Sequence, residues 1–146
     1  MKKLITLICF LPVIICTAQQ PSNHIFAEGG GQALLYSVNY EHIIVKRIGL
    51  RIGYSYFPGL FDTKINSFPA SLNYLYSISD QRYIEVGLGF TYNKINQGHS
   101  AVSQSLHVGF RHQPNTSGLV FRIGGQLLHI KDKEYPYGYV SWGKVF

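Results

Sequence analysis

Histidine and serine residues are the first candidates for chemistry in this sequence. His99 and Ser100 are adjacent in QGHSAVSQS, and a single residue separates Ser105 from His107 in SLHVGF. A serine nucleophile needs a nearby histidine base and usually an acid that orients the base. Adjacent residues of a strand point to opposite sides, which separates His99 from Ser100, whereas Ser105 and His107 would share a face. No orienting acid accompanies either pair, so a hydrogen-bonded interior histidine is the simpler interpretation of His107.

Metal and phosphate sites have even less support. The glycines at 29–31 and 124–125 precede no helical pattern, so they are interpreted as bends or close strand contacts and not as phosphate loops. Asp132 and Glu134 alternate with lysines in IKDKEYP, which is typical of a solvated loop. We therefore predict no catalytic residue, no cofactor and no metal. The histidines, which show neither HxH nor HExxH spacing, are His24, His42, His99, His107, His112 and His129.

The first eighteen residues have the layout of a secretory signal peptide. Two lysines precede an apolar run from Leu4 to Cys16, and small residues precede a cut after Ala18. The run is short for a membrane-spanning helix. We therefore predict a signal peptide at 1–18 and a single domain at 19–146, without cysteine. A short anchor helix is an alternative, as is a lipoprotein signal at Cys16, although Ile15 stands where a small residue is wanted.

The charge pattern argues against one class of partner. The formal net charge is +6 at pH 7, but the basic residues are scattered without a run of like charge. This pattern is not a nucleic-acid footprint. An exported basic protein is instead expected to contact anionic lipid headgroups or lipopolysaccharide.

Alternation of apolar and polar residues dominates the rest of the chain and predicts an all-β protein. In RIGLRIGYSYF, residues 47–57, isoleucine, leucine and tyrosine occupy one face, while glycine, serine and two arginines occupy the other. No segment has a convincing apolar stripe at helical period. The predicted strands are residues 24–30, 34–42, 47–57, 67–78, 82–93, 105–113, 118–130 and 137–146.

The connections between these strands alternate between short and long, as they do in outer-membrane barrels. Eight strands would place both chain ends on the side of the short turns. The first strand is short and glycine-rich, with a turn or sharp bend at 29–32. Residues 24–42 could therefore also form one long bent strand.

Three features favour a polar interior and a lipid-facing apolar surface. An eight-stranded barrel has room inside only for its own side chains, which suits the small polar face. Tyrosines lie toward strand ends, as in the aromatic girdles of membrane barrels. Acids and bases on the polar face could pair, as buried charges must, although on a soluble barrel they would simply face water. The predicted interior charge network is Glu28, Glu41, Arg47, Arg51, Glu85, Arg111 and Arg122. Glu41 and Glu85 are the expected partners of Arg47 and Arg51, and the tyrosines of the predicted girdles are Tyr36, Tyr40, Tyr54, Tyr56, Tyr74, Tyr76, Tyr92, Tyr137 and Tyr139.

The sequence resembles small outer-membrane β-barrel proteins of Gram-negative bacteria, of the OmpA/OmpX type. The signal ending CTAQQ, the segments GLRIGYSYF, YIEVGLGFTY and VFRIGGQLL, and the end YVSWGKVF carry the resemblance. It implies an antiparallel up-and-down eight-stranded transmembrane β-barrel in the outer membrane, expected as a monomer. It also implies that the barrel-assembly machinery reads the terminal strand. Val140, Trp142 and Phe146 match the pattern of such strands, whereas Lys144 departs from it.

The expected function is a structural, adhesive or ligand-presenting role of the longer loops of a closed barrel, without enzymatic activity. Two alternatives stay open at this point. One is a lipid-modifying outer-membrane enzyme that uses histidine and serine. The other is a secreted, lipocalin-like soluble barrel that turns its Ile/Tyr face inward to bind an apolar ligand.

Overall fold

The computed structural model describes residues 23–45, 47–58, 64–95, 98–131 and 133–146. The predicted signal peptide lies outside these ranges. Within them, no helix is long and apolar enough to cross a membrane. The described strands are β1 (Asn23–Gly30), β2 (Tyr36–Val45), β3 (Ile48–Pro58), β4 (Lys64–Ser79), β5 (Arg82–Ile95), β6 (His99–His112), β7 (Gly118–Ile130) and β8 (Lys133–Val145).

Each strand pairs antiparallel with the next, and β1 pairs with β8 to close the barrel. At this seam the Asn23 amide donates to the Phe146 carbonyl at 3.2 Å, and the Phe146 amide donates to the Asn23 carbonyl at 2.9 Å. The predicted closed eight-stranded fold is confirmed. Residues 24–42 form two strands, since a short 3-10 turn at Gly31–Ala33 separates β1 from β2.

The barrel has two different ends. The turn end holds the short β2–β3, β4–β5 and β6–β7 connections together with the β1–β8 seam at Asn23 and Phe146, and the loop end holds the other connections. Strands β4, β6 and β8 begin earlier than predicted, at Lys64, His99 and Lys133. Their hairpin arms stay paired beyond the alternating segments, because backbone hydrogen bonding does not require an apolar face.

Side-chain orientation is the reverse of that in a soluble protein. Ile52 is 58% exposed and Leu88 is 65% exposed, whereas Arg51 is 2% exposed and Glu85 is fully buried. Large apolar side chains are normally interior, and arginine and glutamate are almost never fully buried unless they are paired. The Ile/Tyr face of β3 therefore lies outside, and its arginine face lies inside at Arg51.

The interior also contains apolar side chains, which share strand faces with the polar residues. Phe26, Leu75 and Val120 are buried among the polar groups. Tyr139, expected in the outer aromatic girdle, is only 5% exposed because it lies on the same inward face of β8 as Ser141. The prediction of an outward Tyr139 was therefore wrong.

Close strand contact at the seam depends on Gly143. A Cβ atom there would overlap the backbone of Ile25 and Phe26 on β1. Gly125 on β7 is a matched contrast, since the nearest atom to its added Cβ would be the Tyr137 carbonyl oxygen at 3.8 Å.

We therefore expect Gly143→Ala to destabilise the closed barrel by about 1–3 kcal/mol, the usual cost of forcing extra atoms into a packed site. Gly125→Ala should leave stability near that of the unchanged protein. The folded fraction of each variant can be followed by heat-modifiable mobility on gels across a urea series. Equal midpoints for the two variants would contradict the described seam.

Candidate functional site

The most distinctive cluster of the molecule is a set of six charged side chains inside the barrel. Alternation places each of them on the inward face of a different strand. Glu41 lies opposite Arg51 across the β2–β3 pair, and Arg111 lies opposite Arg122 across the β6–β7 pair. All six are buried, and together they are Glu28, Glu41, Arg51, Glu85, Arg111 and Arg122.

Glu85 is the centre of this cluster because its carboxylate contacts three guanidinium groups. Arg51 Nη2 donates to Oε1 at 2.7 Å, and Arg111 Nη1 donates to Oε2 at 3.0 Å. Arg122 donates through Nε to Oε2 at 3.1 Å and through Nη2 to Oε1. Charge-assisted bonds of this kind are about twice as strong as neutral ones. Glu85 therefore ties β5 to β3, β6 and β7 in one contact set.

The other two acids complete the pairing. Glu41 lies 2.5 Å from Arg111 Nη1 and accepts a 2.5 Å hydrogen bond from Asn73 Nδ2. Glu28 lies 3.5 Å from both Arg51 and Arg122. Among the described residues, three buried carboxylates thus face three buried guanidiniums. This balance matters because an unpaired buried charge costs several kcal/mol.

Arg47 is the predicted network member that the structure does not bring into the cluster. Its side chain is exposed at the β2–β3 turn, where Nη1 lies 3.5 Å from the Tyr74 hydroxyl, and this contact raises the pKa of Arg47. The alternation of β3 does not extend to it because the strand begins at Ile48 and the β2–β3 register shifts between Ile43 and Val45. Its position outside leaves the interior charges equal in number.

An aromatic ring inside the network escaped the sequence reasoning. The guanidinium carbons of Arg51 and Arg122 lie 5.1 Å and 4.7 Å from the centre of the Phe26 ring. Cation–π contacts of this kind stabilise arginine most when water is excluded. Phe26 shares an inward face with Glu28, two residues later, and this spacing was the available signal.

The histidine and serine candidates are engaged in other contacts. His107 Nε2 lies 3.4 Å from Glu85 Oε1, and the Ser105 hydroxyl accepts a 2.9 Å hydrogen bond from Gln32. His99 and Ser100 are exposed at the start of β6. No group of metal-ligating side chains occurs in the described ranges. The arrangement braces strands and fills the lumen, and its carboxylates are all paired with guanidiniums.

The terminal strand presents its predicted motif on the outer surface. Trp142 and Phe146 are exposed, and Val140 is partly exposed on the same face. Lys144, which departs from the motif, is exposed there as well.

Solved structures with a similar fold include two bacterial proteins and one designed protein. The N-terminal β-barrel domain of Pseudomonas aeruginosa OprF is similar with a TM-score of 0.62 and 12% identity, over 86% of this chain and 96% of that one. Neisserial surface protein A has a TM-score of 0.54 and 12% identity, over 86% and 92%. The designed TMB2.3 has a TM-score of 0.52 and 14% identity, over 89% and 95%.

No family model and no curated protein sequence matches the chain. At such low identities a structural likeness establishes the fold and leaves function to be argued from the site. The predicted resemblance to small outer-membrane barrels is thereby confirmed at the level of fold. The chain has the closed eight-stranded barrel that these proteins share.

We expect Glu85→Gln to destabilise the folded barrel by about 3–5 kcal/mol, because it leaves three buried guanidiniums around a neutral amide. Glu134→Gln is the matched control, since Glu134 is an exposed glutamate on β8. Urea unfolding in detergent micelles measures both. A Glu85→Gln midpoint equal to that of the control would contradict the central position of Glu85.

Urea unfolding also distinguishes the role of Arg51 on β3 from that of Arg47 in the β2–β3 turn. Arg51→Gln should lower the unfolding midpoint strongly, since it removes a partner of Glu85 and Glu28. Arg47→Gln should leave the midpoint unchanged, because exposed polar contacts contribute little to stability. Equal losses for both variants would show that Arg47 lies inside.

Proposed function

We propose that this protein is a closed barrel of the outer membrane whose loops carry a structural, adhesive or ligand-presenting role. The main support for this proposal is the inverted polarity of the barrel wall, whose outer surface is apolar and whose interior holds paired charges. A lipid-facing surface must be apolar, whereas a narrow lumen can be polar. A soluble barrel that binds an apolar ligand would need the opposite orientation.

The distribution of aromatic side chains supports a membrane position. Near the turn end Phe121 lies opposite Trp142, and near the loop end the Tyr54 and Phe68 rings lie 5.3 Å apart. The Tyr54 hydroxyl also donates to Asn66 at 2.8 Å. Aliphatic side chains occupy the band between these ends. Aromatic girdles flanking an apolar band are characteristic of transmembrane barrels.

Because side chains fill the lumen, we place the function of the protein in its loops and not in its interior. The ion pairs join six strands across the barrel, so we propose that solutes larger than water or small ions do not pass. A lipid-modifying enzyme is less favoured, because the Ser105 hydroxyl accepts a hydrogen bond from Gln32, and both Ser105 and His107 are buried inside the barrel, away from its outer surface.

Exposed lysines at the loop end support contact with anionic lipid headgroups, including those of lipopolysaccharide. These four lysines outnumber the three acids that the sequence places in the same connections, Asp62, Asp132 and Glu134. A local excess of one sign attracts ions of the other sign. We also propose that the terminal strand with Val140, Trp142 and Phe146 is read by the barrel-assembly machinery. The lysines are Lys64, Lys94, Lys131 and Lys133.

A pair of lysine substitutions tests the membrane location. Leu88 lies in the middle of the wall, opposite Leu72 and Leu106, whereas Ile78 lies near the turn end. In vesicles, Leu88→Lys should cost about 2–4 kcal/mol and Ile78→Lys about 0–1 kcal/mol, since the cost of a cation depends on depth in the bilayer.

Both positions are exposed, so on a soluble barrel both substitutions would be nearly neutral. Equal and small effects on the unfolding midpoint, together with extraction of the full chain from cells without detergent, would overturn the proposed location.

A further inference from the structure

The connection between β1 and β2 differs from the other connections at the loop end because it enters the barrel. Gly31, Gln32 and Ala33 form a 3-10 turn in which all three residues are buried, and Gln32 is only 3% exposed. By contrast, Gly98 and Lys131 in the described parts of the other loop-end connections are exposed.

This turn reaches the opposite wall of the lumen. Gln32 Nε2 donates to the hydroxyl of Ser105 on β6 at 2.9 Å, and the hydroxyl of Thr91 on β5 donates to the Gln32 carbonyl at 3.2 Å. In a closed eight-stranded barrel, β5 lies diametrically across from β1. The turn is therefore joined covalently to β1 and β2 on one side and hydrogen-bonded to β5 and β6 on the other, so it spans the lumen.

Glycines make this inward course possible. Gly30 and Gly31 both have φ of +74°, a conformation that other residues rarely adopt. A Cβ at Gly31 would overlap the Glu28 carboxylate, and a Cβ at Gly89 on β5 would overlap the Gln32 amide. The turn thus lies directly beside the ion-pair network, in space that the wall leaves free for it.

One edge of β8 is unpaired near the loop end, because β1 ends before β8 does. Pairing of β8 with β1 stops at Tyr139, while its pairing with β7 continues to Lys133. The Phe146 amide donates to β1, and the backbone nitrogens of every second residue of a strand point to the same side. The nitrogen of Pro136 therefore faces the edge of β8 that β1 no longer covers. Proline has no N–H, and it is a common way of protecting an exposed strand edge.

We propose that Gly31–Ala33 is an internal plug that closes the lumen at the loop end, as a second closure beside the ion-pair network. The plug isolates the inward side chains near Gly89 and Ser71 from water outside the loop end. The inference rests on the barrel interior, so it holds in detergent micelles and does not depend on the proposed membrane location.

Cysteine labelling tests the plug directly. Ser71 is buried, lies opposite Gly89 on the β4–β5 pair and becomes the reporter as Ser71→Cys, with Cys9 and Cys16 replaced by serine. The probe is a small, positively charged methanethiosulfonate reagent added to the folded chain in micelles. Ser100→Cys, at an exposed position, is the control that should react rapidly in every background.

Ser71→Cys should react slowly in the otherwise unchanged protein. Adding Gln32→Ala and Thr91→Val removes the two hydrogen bonds that join the plug to β5 and β6. Labelling should then accelerate by about tenfold or more, as the loss of such bonds shifts a local opening equilibrium. Labelling of Ser100→Cys should not change. If the double substitution prevents folding, Gln32→Ala alone should give a smaller acceleration in the same direction.

Two results would overturn the plug. One is labelling of Ser71→Cys as fast as that of Ser100→Cys with the plug intact. The other is a labelling rate that does not respond to loss of the Gln32 contacts in a variant that retains its heat-modifiable mobility.

Discussion

A fully buried carboxylate has to be paired, and the pairing of Glu85 constrains most of this barrel. Its three arginine partners lie on β3, β6 and β7. The contact therefore fixes the position of β5 relative to its neighbour β6, and also relative to β3 and β7, which do not pair with β5. A slip of one residue in any of them would turn the charged side chain to the outer surface. The ion pairs therefore select the register, although their net contribution to stability is limited by the cost of desolvation.

The need to pair buried charges also explains which residue types lie inside the barrel and which lie outside. Small residues leave room for long charged side chains in the lumen, and glycine is required where a strand or the plug comes closest. The Phe26 ring lies against the guanidiniums of Arg51 and Arg122. The apolar side chains displaced from the interior then cover the wall, which is the basis of the proposed membrane location.

The alternating pattern assigned the residues of each regular strand to two faces, and the alternation of short and long connections favoured eight strands. The inward direction of Arg51 needed three further arguments, from the size of the barrel, the placement of tyrosines and the pairing of charges. The alternating pattern was insufficient at irregular positions. Arg47 lies beyond a shift in register, and the predicted bend at 29–32 gave no indication that Gln32 would cross the lumen. These positions depend on contacts between distant strands, such as Gln32 with Ser105, which local periodicity does not contain.

Contact between the apolar face and lipid can be tested through the fluorescence of the single tryptophan. Trp142 is 60% exposed on the outer face of β8. In vesicles of lipids brominated along their acyl chains, its emission should be strongly quenched, while aqueous iodide should have little effect. Emission that iodide quenches and brominated lipid leaves unchanged would contradict the account, since it would place this face of the barrel in water.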